Sequence, residues 1–119
     1  MKKVLWISRH MMTVAQKNDL ERITNDVVEV VQVDKTIANV RELEPLLDGV
    51  DIVAAVLPLD KVAGLLKITG SIPVIQAVSA RVPTGKLLTL PDGRTEQEYL
   101  FEHQYWQRIV SVDIKTERL

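Results

Sequence analysis

The sequence predicts an α/β fold: a parallel sheet flanked by helices, with a C-terminal antiparallel hairpin and strand extension. Three observations carry this. Short valine-rich apolar runs alternate with capped helical stretches through residue 80, the spacing of βαβ units. A proline-led turn, Pro91-Asp92-Gly93-Arg94, then separates two further runs in the last third. Aromatic residues make up only 4%, so Val, Leu and Ile must fill the core, and branched side chains favour strands.

The elements follow in order. Val4-Leu5-Trp6-Ile7 is a continuous apolar run, as expected of a strand buried on both faces. Thr13 and Gln16 have capping-box spacing, and Leu20 and Ile23 continue an apolar helical face. A second strand is predicted over about Val27 to Val33. Asn39 and Glu42 form another capping pair, and Val40, Leu43 and Leu47 predict a short helix that Asp48-Gly49 ends. Asp51 to Leu57 reads as a buried third strand. Pro58 or Asp60 then opens a helix carrying Val62, Leu65, Leu66 and Thr69, closed by Gly70. Pro73 to Val78 is the fourth strand. Lys86 to Leu90 and Thr95 to His103 read as the arms of a hairpin. Val110, Val112 and Ile114 alternate with polar residues, as in a final strand with one wet face. The chain is thus expected to be one domain over 1–119, with βα repeats over 1–80 and an antiparallel extension over 81–119.

Composition narrows the function. Hydrophobic residues are 46% and charged residues 26% of the chain, as in ordinary globular proteins. The formal net charge of −1 lacks the positive excess of proteins that wrap long nucleic acid, although two or three local arginines can still hold a small anion. The absence of cysteine removes disulfides and thiol chemistry and fits a cytoplasmic protein. Val4 to Ile7 is too short for a signal peptide, and no segment has the length of a membrane span.

In a parallel sheet, ligands bind beyond the carboxyl ends of the strands. That rule selects Ser8, Arg9, His10 and Met11 after the first strand. It selects Leu57, Pro58, Leu59 and Asp60 after the third, and Val78, Ser79, Ala80 and Arg81 after the fourth. Arginine's donor fork, serine's hydroxyl and free helix N–H groups together suit phosphate. Each residue also has a plainer reading. Thr13 and Gln16 serve as a capping box, and Arg9 and Arg81 as solvated loop residues. His10 is as well read as a surface residue, and Met11-Met12 as flexible apolar filling. His103 shares a strand face with Tyr99 and Phe101, which favours packing. No glycine-rich dinucleotide fingerprint, Walker loop, nucleophile elbow or metal-ligand cluster occurs, so no cofactor and no metal are expected.

The stretch from Ser8 to Gln16, Ser-Arg-His-Met-Met-Thr-Val-Ala-Gln, resembles the openings of small CRISPR-associated proteins with a CARF-like Rossmann fold. Ile72 to Arg81, the Pro-Asp-Gly turn and Tyr99 to His103 are similar to the back half of such proteins. Arg9 stands between Ser8 and His10, where the family's serine and histidine are adjacent. The resemblance implies a Rossmann-like domain that binds cyclic oligoadenylate, the second messenger of type III CRISPR antiviral defence, across a homodimer. Some members are metal-independent ring nucleases, leaving 2′,3′-cyclic phosphate ends. Carried over, Arg9 and Arg81 would stabilise the phosphate and His10 would act as acid or base. Ser8 and Ser79 would hydrogen-bond ligand oxygens, and Met11, Thr13, Gln16 and Pro58 would line the site. A non-catalytic sensor or sponge with the same pocket is the alternative within this reading. Outside it stands a small Rossmann-like regulatory or interaction protein.

Overall fold

Strands and helices form in the alternating order of the apolar runs, in a computed structural model that describes residues 1–113 and 115–119. The elements are β1 (Lys2–Ile7), α1 (Val14–Thr24), β2 (Val28–Val33), a 3-10 helix (Val40–Leu46), β3 (Ile52–Ala55), α2 (Leu59–Thr69), β4 (Val74–Thr89) and β5 (Thr95–Arg108). The sheet order is β2-β1-β3-β4-β5; the first four strands are parallel and β5 is antiparallel to β4. The fold is therefore α/β with a mixed, mostly parallel sheet.

Alternation within β1 divides the core. Leu5 and Ile7 face a cluster with Val53, Leu43 and Leu65, under α2 and the 3-10 helix. Val4 and Trp6 face Leu20 of α1 and Trp106 of β5. The two indoles meet edge to face, 5.9 Å between centroids at 84°. Gly64 lets α2 lie close on the 3-10 helix, since a Cβ there would meet Val40 Cγ2 at 3.0 Å. No helix among the described residues is long and apolar enough to cross a membrane.

Several expectations are corrected. The helix after Asn39 is a 3-10 helix with Pro45 inside it, which removes the N–H an α-helical turn would need. The third strand is shorter than predicted, ending at Ala55. The fourth does not stop at Val78. β4 runs on to Thr89, absorbing Lys86 to Thr89 of the expected hairpin arm, so Ser79, Ala80 and Arg81 lie inside a strand and not in a loop. Register shifts at Val78/Ser79 and Pro83/Leu87 accommodate the irregular residues. Val110 and Val112 lie outside any strand, because pairing ends at Arg108, and Ile114 lies outside the described residues.

Candidate functional site

The sheet order reverses at β1, whose two neighbours, β2 and β3, are reached by connections running in opposite directions. Such a switch point leaves a crevice at the carboxyl ends of the central strands. A cleft of about 230 Å³ lies there, lined by Ile7 at the end of β1, by Ser8 and Arg9 just after it, and by Val56, Leu57 and Pro58 between β3 and α2. Lys35, after β2, and Lys61, from α2, complete its wall.

The loop after β1 is held from both sides. The Trp6 indole N–H donates to the His10 carbonyl at 2.7 Å, and the Gln32 amide donates to the Ser8 and His10 carbonyls at 3.0 and 3.1 Å. Ser8 is buried, and its Oγ accepts the His10 backbone N–H at 3.1 Å. The serine hydroxyl keeps one proton with which to donate. Arg9 is exposed beside it and enters no ion pair among the described residues. Of the two lysines, Lys35 lies 3.7 Å from Glu42, and Lys61 donates to the Ala38 carbonyl at 3.1 Å. The Asn39 backbone N–H, helped by Lys35 and the Ala38 N–H, holds the Glu42 carboxyl below the usual range.

Pro58 caps α2 without a side-chain bond, while the N–H groups of Lys61 and Val62 return to its carbonyl. The amides of Leu59 and Asp60 have no intrahelical partner, as at any helix start. Asp60 also places a carboxylate in that first turn. The cleft's charge is therefore cationic on the Arg9 side and mixed at the helix.

A second cleft, of about 550 Å³, opens between the start of α1 and the β4–β5 hairpin. Thr13, Gln16, Ser79, Phe101 and His103 are among its lining residues. The Thr13–Gln16 capping box is fully formed, with bonds of 3.1 and 2.9 Å. Behind it, His103 Nε2 lies 2.8 Å from Asp19 Oδ2, with both side chains largely buried. The His103 contact, followed by Arg22, holds the Asp19 carboxyl below its ordinary value. His103 Nδ1 is buried with no hydrogen-bond partner among the described residues.

The predicted residues thus divide. Ser8, Arg9 and Pro58 line the switch-point cleft, whereas Thr13, Gln16 and Ser79 line the second. His10 is exposed and Met11 is 82% exposed, and neither lines either cleft. Arg81 lines neither; it stacks on Tyr99, 4.0 Å from the ring centroid. One chain does not bring Arg9 and Arg81 onto the same cleft. Sequence reasoning missed Lys35, Lys61 and Gln32, and it gave His103 packing alone where it also pairs with Asp19. Lys61 stands just inside the expected helix start, which was the available signal. No protein family, curated protein or solved structure matches the chain.

Proposed function

We infer that the switch-point cleft binds a phosphodiester, and that the protein recognises and cleaves cyclic oligoadenylate without a metal. The observation that supports this reading is the convergence on one cleft, at the reversal of the sheet, of the buried Ser8 hydroxyl, Lys61, and Arg9, which enters no ion pair among the described residues. Arginine's fork and a serine hydroxyl complement phosphate oxygens, and a rigid backbone spares the ordering cost on binding. The resemblance of Ser8 to Gln16 supplies the ligand class.

The reaction asks little of the protein. The ribose 2′-oxygen attacks the adjacent phosphorus and loses its proton to a base. The P–O5′ bond breaks, and the 5′-oxygen leaves with a proton from an acid. The products carry a 2′,3′-cyclic phosphate and a 5′-hydroxyl. Arg9 stabilises the extra negative charge, Ser8 orients a phosphate oxygen, and His10 serves as the proton carrier. Arg81 has no role within the same chain's cleft.

Incubation with a panel of cyclic oligoadenylates in EDTA, with mass analysis of the products, tests the reading. Linear products ending in 2′,3′-cyclic phosphate are expected, and His10→Ala should abolish them while sparing binding. Tight binding with every ring recovered intact would select a sensor or sponge. No binding in calorimetry would refute the ligand.

A further inference from the structure

Strand β3 pairs β4 only at Val74 and Ile75, so residues 79–103 form an arm of two strands and a turn. At the base of the arm the ladder carries a bulge. Val78 pairs Tyr105 and Ser79 pairs His103, which leaves Gln104 without a partner in the register. The extra residue lets His103 and Trp106, three positions apart, both reach α1. There the imidazole Nε2 lies 2.8 Å from Asp19 Oδ2, and the indole N–H donates to the Gln16 carbonyl at 3.0 Å.

Asp19 decides which imidazole nitrogen is left over. A carboxylate only accepts, so the proton of the neutral ring sits on Nε2 and Nδ1 keeps its lone pair. The His103 side chain is 6% exposed, and its Nδ1 is buried without a hydrogen-bond partner among the described residues. Such an atom calls for a reason, since buried polar groups are ordinarily satisfied. Ser79 stands directly across the ladder from it, exposed, and both residues line the cleft of about 550 Å³. Side chains so opposed have Cβ atoms about 4.5–5.5 Å apart, within reach of each other. Thr13 and Ala15 bring the start of α1 to the same cleft. The amides of Val14 and Ala15 have no intrahelical partner there, and a helix start favours negative charge. Val82, Pro83, Leu100 and Phe101 supply an apolar wall, and Glu102 a carboxylate.

We propose that Ser79, His103 and Asp19 are the nucleophile, base and orienting group of a second site, one that hydrolyses neutral esters of small apolar acids. Ser79 Oγ attacks the carbonyl carbon as its proton passes to His103 Nδ1. The oxyanion that forms is met by the free N–H groups of the first turn of α1. The ester C–O bond then breaks, and the alcohol leaves with the proton from Nδ1. Water attacks the acyl-serine, giving a proton to the same nitrogen; the acid departs and Ser79 recovers its hydroxyl. Asp19 is a positioning residue that holds the ring in the tautomer this requires. The apolar wall takes the acyl chain, and Glu102 disfavours an anionic substrate. This cleft is separate from the switch-point cleft and its test uses no nucleotide, so either reading fails without the other.

Treatment of the full chain with a fluorophosphonate and, separately, with p-nitrophenyl butyrate tests the proposal. Peptide mass analysis should place the phosphonyl group on Ser79, and ester hydrolysis should saturate. Ser79→Ala should abolish labelling and lower kcat/KM at least about hundredfold. In Asp19→Asn a carboxamide can donate to Nε2, which moves the ring proton onto Nδ1. That variant should lose kcat to a similar degree with KM nearly unchanged, whereas a merely structural loss of the cleft would raise KM. Retention of the tryptophan unfolding transition shows that the variants fold. Ser79→Ala, at an exposed side chain, carries the test by itself if Asp19→Asn does not fold. No labelling, labelling of another residue instead, or ester turnover that survives Ser79→Ala overturns the proposal. So does a folded Asp19→Asn that keeps its kcat.

Discussion

The backbone of residues 8–10 takes its shape from the indole of Trp6 and the carboxamide of Gln32, two side chains on neighbouring strands. Arg9 is thus carried on a fixed base while its own guanidinium enters no ion pair among the described residues. Arg9→Ala should weaken cyclic oligoadenylate binding at least about tenfold, since a charge-assisted hydrogen bond contributes about 1.5–3 kcal/mol. Calorimetry on the two proteins reads this directly, and equal affinities would remove Arg9 from the site. Asp19 permits a prediction of another kind. Its folded pKa lies below the ordinary value, chiefly through His103 and then Arg22. A depressed carboxylate pKa contributes stability above the unfolded value of about 4, and that contribution is lost as pH falls through the folded value. Asp19→Asn should therefore be less stable than the parent at pH 7, with the difference closing below about pH 4. Urea denaturation at both pH values checks it, and a constant difference would contradict it. Ser8, Arg9 and Pro58 were legible because strand ends locate loops. The Asp19–His103 pair was not, since its members stand 84 positions apart in the chain.

Local chemistry decides some elements, and the ends of β4 and of the 3-10 helix show where it does not. The start of α1 is written in four residues, and both bonds of the Thr13–Gln16 box form. Thr13→Ala should cost about 1 kcal/mol in denaturant unfolding, the usual worth of an N-cap side chain. A loss within error of zero would mean that packing alone sets that helix start. β4 resisted reading for the opposite reason. Pro83 and Gly85 look like breakers, and Ser79-Ala80-Arg81 looks like a polar loop. Pairing with β5 overrides both, with shifts in register and a positive φ of 83° at Gly85 absorbing the misfit. In the 3-10 helix, Asn39 and Glu42 cap as their spacing implied, but Pro45 keeps the next turn from becoming α-helical. Local signals thus located the starts of elements better than their lengths.

At the scale of the molecule, Trp106 of β5 joins the outermost part of the chain to its centre, alongside the His103–Asp19 pair. Trp106 packs on Trp6 of the central strand, donates its indole N–H to the Gln16 carbonyl at 3.0 Å, and lies 5.5 Å from the His103 ring. Those contacts join β1, the first turns of α1 and the base of the arm. The two tryptophans are 100 positions apart, so no local pattern could foretell that they meet. What the sequence did show was that aromatics are scarce, which leaves few large side chains to bridge the layers. Trp106→Ala removes a side chain that is 9% exposed, its edge-to-face contact and a partner of the Gln16 carbonyl together. It should destabilise the protein by about 3–5 kcal/mol, the range for deleting a buried large aromatic. Trp106→Phe keeps the packing and loses the N–H donor, so its cost should be clearly smaller. Urea unfolding tracked by the remaining Trp6 fluorescence measures both. If Trp106→Ala costs less than about 1 kcal/mol, the arm's base is not coupled to the core, and the α1-side cluster holds without it.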